Sequence, residues 1–154
     1  MFKKIFITAL CMFGFVLCAS ADDLADVKKT FNDYVTSSNN YSTDVPDYYL
    51  KNAKIIRVVY KKDNTTQSVV IPFDRYMSEM KKGVALAKAT KYKNTYTNLK
   101  FTKVGNDYKV SSIRIPRNDK SGLPAHFIMT KTQNGWKIKE ESMGTNVQRF
   151  LSEK

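Results

Sequence analysis

From Asp22 to Val35 the apolar side chains Leu24, Val27, Phe31, Tyr34 and Val35 recur at helical spacing, and Asp22 with Asp23 suits the positive end of a helix dipole. This pattern predicts a first helix that stops at Ser37-Ser38-Asn39-Asn40, a cluster whose side chains compete for backbone hydrogen bonds. Asp44 followed by Pro46 predicts a second, shorter helix through about Asn52, with Tyr48, Tyr49, Leu50 and Ala53 as its apolar surface. The period then changes. Lys54 to Tyr60 and Thr65 to Ile71 are β-branched and apolar on either side of Lys61-Lys62-Asp63-Asn64, which reads as a hairpin. Pro72 opens a third helix, with Phe73, Tyr76, Met77, Met80 and Val84 on one face as far as about Lys88.

From Thr90 onward the signals are β. Thr90 to Val104, Tyr108 to Ile115, Leu123 to Thr132 and Trp136 to Met143 are strands, separated by Gly105-Asn106-Asp107, by Pro116 to Gly122 and by Asn134-Gly135. Helices grouped ahead of such a meander cover one face of an antiparallel sheet, so the expected class is α+β, with three N-terminal helices on a sheet of about six strands. Leu123, Ala125, Phe127 and Met129 form one alternating inward row, and Trp136 with Ile138 another. There is no internal repeat or linker, so residues 22–154 read as one domain.

The first 21 residues stand apart. Met1-Phe-Lys-Lys, the apolar run Ile5 to Leu17 and the small residues Ala19-Ser20-Ala21 have the three parts of an export signal cleaved after Ala21. About 13 apolar residues span roughly 20 Å as a helix, short of the ~30 Å needed to cross a bilayer, so no transmembrane anchor is expected after cleavage. A lipoprotein cut before Cys11 or Cys18 would place a leucine where a small residue belongs. The mature chain is therefore expected in the periplasm or outside the cell, without cysteine and without disulfides.

The whole chain of 154 residues carries 26 basic and 14 acidic side chains. Removing Lys3 and Lys4 with the leader leaves a net charge of +10. Outside the cytoplasm the matching anions are lipid head groups, polysaccharides and acidic substrates, although scattered lysines also serve solubility alone. Tyr92 and Tyr96 interleave with Lys91, Lys93 and Lys100 as in single-strand binders, but an exported chain meets little nucleic acid, and none is expected as a partner.

The order of elements, the Asp44-x-Pro46 segment leading into a first strand, the Pro72 helix and the final Gly135-Trp136-Lys137-Ile138 hairpin resemble the nuclear transport factor 2-like superfamily, also called the cystatin-like or ketosteroid-isomerase-like fold. The resemblance covers about Asp22 to Gly144. It implies a curved sheet wrapped round a long helix as a cone with a cavity, hosting isomerases, dehydratases, hydrolases, ligand binders and assembly modules, so the fold alone names no activity.

Enzymes of that superfamily place a carboxylate or histidine base deep in the cone beside a tyrosine hydroxyl. By resemblance Tyr34 is the cavity tyrosine; by pattern it equally continues the core stripe of Phe31. His126, the single histidine, alternates outward if Ala125 and Phe127 are inward. Glu140 shares the parity of Trp136 and is a candidate buried acid, or a rim residue paired with a cation. Ser112 and Arg114 face one side of their strand and Ile113 and Ile115 the other; if Arg114 is inward it offers a fork to a carboxylate or phosphate. Metal and cofactor chemistry are not expected from one histidine and no mature cysteine.

This thin supply of acid–base groups favours an envelope binding or accessory module that holds a small apolar or anionic ligand, or an envelope protein. Its binding residues would be Arg114, Ser112, Tyr34, Phe127 and Trp136. The alternatives are a cavity enzyme using Tyr34 with Glu140 or His126, and a homodimeric assembly subunit paired through the convex sheet face.

Overall fold

A computed structural model of the chain describes residues 15–117, 119 and 121–152, with side chains from residue 21 onward. Most of the expected leader lies outside the described residues. Helix α1 (Phe15–Asn39) is followed by a single 3-10 turn (Val45–Tyr48), strands β1 (Tyr49–Tyr60) and β2 (Thr66–Ile71), helix α2 (Phe73–Ala89), then β3 (Asn94–Val104), β4 (Asp107–Pro116), β5 (Leu123–Thr132) and β6 (Gly135–Thr145). Among the described residues no helix is long and apolar enough to cross a membrane.

The six strands form one sheet in the order β2-β1-β6-β5-β4-β3. Only β1 and β6 run parallel; every other pair is antiparallel. The class is α+β, with two α-helices among the described residues rather than the three expected. The expected second helix is one 3-10 turn, because Pro46 fits a first turn while Tyr48, Tyr49 and Leu50 are better accommodated by a strand that starts five residues earlier than the β-branched run suggested.

Helix α1 lies across the concave face and buries Val27, Phe31 and Tyr34 there. The Phe31 ring meets Phe127, Tyr96 and Phe101 at centroid separations of 5.1, 5.7 and 6.0 Å, all edge-to-face. Tyr96 and Phe101 are five residues apart, so strict alternation would put them on opposite faces. An extra residue in β3 between Thr97 and Lys100, with Asn98 at φ +54°, restores both to the inside and bends the strand.

A second bulge shapes the site. Ile128 pairs with Glu140 and Met129 with Ile138, which leaves Lys139 as the extra residue in β6. Side-chain parity reverses across it: Trp136 and Ile138 are inward before the bulge, and Glu141, Met143 and Thr145 are inward after it.

Candidate functional site

Between the last turns of α1, helix α2 and the sheet lies an open cavity of about 580 Å³. Tyr34, Arg57, Tyr76, Tyr96 and Met143 form its inner wall, and Arg114, which hydrogen-bonds Tyr92, joins Lys81, Val84, Ala87 and Tyr92 in its outer part. Among the described residues no aspartate or glutamate lines it.

The floor is built round Glu141, which is fully buried beneath that wall. Arg57, inward on β1, pairs with it at 2.8 Å. The Tyr49 hydroxyl donates to Oε2, and the Tyr76 hydroxyl to Oε1 at 3.2 Å. Tyr34 stands 3.0 Å from the Tyr49 oxygen and 3.5 Å from Oε2. The Arg57 guanidinium also lies 5.0 Å from the centre of the Tyr76 ring. Four side chains from three elements, α1, β1 and α2, thus close on one carboxylate. Burial pushes the Arg57 guanidinium down, but Glu141 and Tyr76 more than offset it and hold the group above its ordinary value. Burial, then the Glu141 charge, pushes Tyr76 up to about 12. Tyr34, Tyr49 and Tyr96 are also raised, chiefly by burial.

The second arginine is placed differently. Arg114 on β4 pairs across the ladder with Tyr96, and its Nη atoms donate to Asn94 Oδ1 at 3.0 Å, Tyr92 Oη at 3.3 Å and the Gly144 carbonyl at 3.1 Å. Asn39, the last residue of α1, holds Asn94 through a reciprocal pair of 2.9 Å bonds between its side-chain amide and the Asn94 backbone, so that Asn94 Oδ1 accepts from Arg114 and from the Tyr92 hydroxyl. All these acceptors are neutral. Nε is buried without a partner among the described residues, and no carboxylate stands within ion-pair distance of the guanidinium.

Of the residues singled out by sequence, Tyr34 and Arg114 meet on the cavity wall. Ser112 is buried and donates to the Ala125 carbonyl at 3.2 Å; Phe127 is fully buried under Phe31 and Tyr34. Trp136 packs on Tyr108 and borders a separate hollow. These three lie off the cavity wall. His126 faces outward, where burial and Lys109 lower its pKa. Glu140 is also turned outward, 3.8 Å from Lys54, because the bulge at Lys139 reverses the parity that had placed it beside Trp136. Neither Glu140 nor His126 meets Tyr34. Sequence reasoning missed Glu141, Arg57, Tyr49 and Tyr76 as one cluster. The available signal was the inward parity of Arg57 with Ile55 and Val59 in an otherwise apolar strand, since a buried arginine demands a buried acid. Among the described residues no three histidine, cysteine or acidic side chains group as a metal site.

Comparison with known proteins gives no match to a family model or to a curated protein. Solved structures do match. A nuclear transport factor 2-like protein with a cystatin-like fold from Novosphingobium aromaticivorans is similar at 8% identity and TM-score 0.62, over 89% of this chain and 93% of its own. One from Pseudomonas putida matches at 8% identity and TM-score 0.62, over 81% and 87%. A candidate dehydratase of the same fold family from Streptomyces avermitilis matches at 10% identity and TM-score 0.60, over 82% and 98%. At such identities the likeness is one of architecture: the chain has the nuclear transport factor 2-like, or cystatin-like, fold.

Proposed function

We propose that the chain is an exported, non-enzymatic binding module of the cell envelope whose cavity holds a small molecule with an apolar body and an anionic head. The observation that carries this reading is Arg114, an inward guanidinium held by neutral acceptors on a wall without a carboxylate, so that a ligand anion would be its counter-ion. The cavity volume suits a ligand of drug or fatty-acid size, and Met80, Val84, Ala87 and Met143 give that ligand an apolar bed.

Thermal-shift titration with matched hydrophobic carboxylates and their primary amides tests the proposal. The carboxylates raise Tm and the amides do not, and Arg114→Met weakens carboxylate affinity about ten- to a hundred-fold, the worth of one charge-assisted contact. Equal response to acid and amide, or an unaffected Arg114→Met variant, overturns it.

The enzyme reading has one observation in its favour, the approach of the Tyr34 and Tyr76 hydroxyls to a buried carboxylate. Against it, Glu141 is off the cavity wall with its oxygens taken up by Arg57 and phenols, and the tyrosines are raised away from neutral pH.

A further inference from the structure

The rim of the cavity differs from the rest of the surface. Residues 80 to 93 read Met-Lys-Lys-Gly-Val-Ala-Leu-Ala-Lys-Ala-Thr-Lys-Tyr-Lys, with five lysines and no acid. Lys81, Lys82, Lys88, Lys91 and Lys93 are all exposed. Among the described ion pairs none involves these five; Lys61, Lys62, Lys100, Lys103 and Lys109 are likewise in none, and what sets the five apart is their acid-free run at the cavity rim. Arg117 donates to the Lys91 carbonyl at 2.7 Å and brings a sixth positive charge to the same edge.

Apolar side chains stand among these charges. Leu86 is 69% exposed, more than any other exposed large hydrophobic residue described, and Tyr92 is 37% exposed. Ala85 and Ala89 are exposed on the same turns of α2. Lysines serving solubility alone need no leucine in their midst. A bilayer surface rewards both, since lysine stems lie along the head groups while a leucine and a tyrosine enter the interfacial zone.

We propose that this rim, the second half of α2 with the turn into β3, docks the protein on an anionic lipid bilayer. Five lysines in an acid-free run, with Arg117 beside them, match the negative potential of such a surface, and Leu86 and Tyr92 are the inserting residues. Lys81, Val84, Ala87 and Tyr92 also line the cavity, so docking presents its mouth to the lipid. The docking stands by itself; exchange of an amphiphile between bilayer and cavity rests on the binding reading above.

The test uses protein expressed with its own leader and purified from the host's envelope fraction, its processing read by intact mass. Co-sedimentation compares vesicles containing phosphatidylglycerol with vesicles of phosphatidylcholine alone. Binding to the anionic vesicles is expected to exceed the other at least about ten-fold and to weaken steeply with salt. The triple variant Lys82→Gln/Lys88→Gln/Lys91→Gln loses about five-fold per lysine, and Leu86→Ser several-fold, with thermal unfolding unchanged because all four side chains are exposed. Arg114→Met keeps vesicle binding and loses carboxylate stabilisation, while the triple variant does the reverse, so the two readings fail separately. Equal binding to both vesicles, or an undiminished triple variant, overturns the proposal. So does an inert Leu86→Ser with full competition by heparin, which would assign the rim to a soluble polyanion or acidic protein.

Discussion

The cavity has a closed floor and an open mouth, and each holds one inward arginine. At the floor, Arg57 is buried with Glu141 at 2.8 Å, and phenols fill the carboxylate's remaining hydrogen-bonding directions. At the mouth, Arg114 is held by an amide oxygen, a phenol and a carbonyl, with one donor unmatched. A matched buried cluster has nothing left to offer a ligand and makes its own removal costly. An unmatched cation keeps its charge for a partner that is not part of the chain. The contrast assigns the floor to folding and the mouth to recognition.

Truncating the two arginines in the same way gives the largest expected effect and tests this contrast directly. Arg57→Met leaves Glu141 buried without its counter-charge and should cost about 3–5 kcal/mol of stability. Replacing Arg57 and Glu141 together by apolar residues should recover much of that loss, because no charge is then stranded. Arg114→Met should cost less, about 1–2 kcal/mol, since its contacts go to neutral groups and no charge is stranded. Urea denaturation of the variants decides it, and similar losses at the two arginines would break the comparison.

Alkaline pH probes the floor without mutation. Tyr76 titrates near 12 in the folded protein, raised first by burial and then by Glu141, while an unfolded tyrosine titrates near 10. Between these values the unfolded chain releases a proton that the folded one retains, so stability is present in full below about pH 10 and falls as pH rises toward 12. Tyr76 alone accounts for roughly 3 kcal/mol across that window; Tyr34 and Tyr49, raised in the same direction, steepen it. Urea midpoints that fall between about pH 9 and pH 11, and fall less steeply in a Tyr76→Phe variant, fit this account. An unchanged slope in the Tyr76→Phe variant would show that the floor does not hold this proton.

The physics of these elements explains what sequence reasoning reached. Leu24, Val27, Phe31 and Tyr34 repeat at helical period over several turns, and α1 follows them, because a stripe of that length has one way to be buried. Asn134-Gly135 and Gly105 mark hairpin turns through backbone conformations that few residues adopt, with φ of +93° at Gly135 and +61° at Gly105. The site was harder to read because two strands change parity where no side chain announces it. Lys139, Glu140 and Glu141 are three long polar residues in a row, and nothing in their chemistry says which one the ladder skips. That choice belongs to the pairing of β6 with β5, a tertiary fact, and it decides which glutamate is interior. The same limit applies to Tyr96 and Phe101 across the β3 bulge.

The smallest predicted effect isolates that choice. Glu140 and Glu141 are adjacent and chemically identical, and the bulge at Lys139 alone sets their surroundings apart. Glu140 lies 3.8 Å from Lys54, with side chains 35% and 55% exposed, a pair that water and salt screen readily. Glu140→Gln should therefore change stability by about 0.5 kcal/mol or less, and the difference should vanish at high salt. Glu141→Gln keeps the shape but strands the Arg57 charge, so its cost should be several-fold larger and insensitive to salt. Measured side by side under two salt concentrations, the pair reads out strand parity without a new structure. Equal small costs at both positions would place the extra residue of β6 elsewhere and remove the carboxylate round which the floor is built.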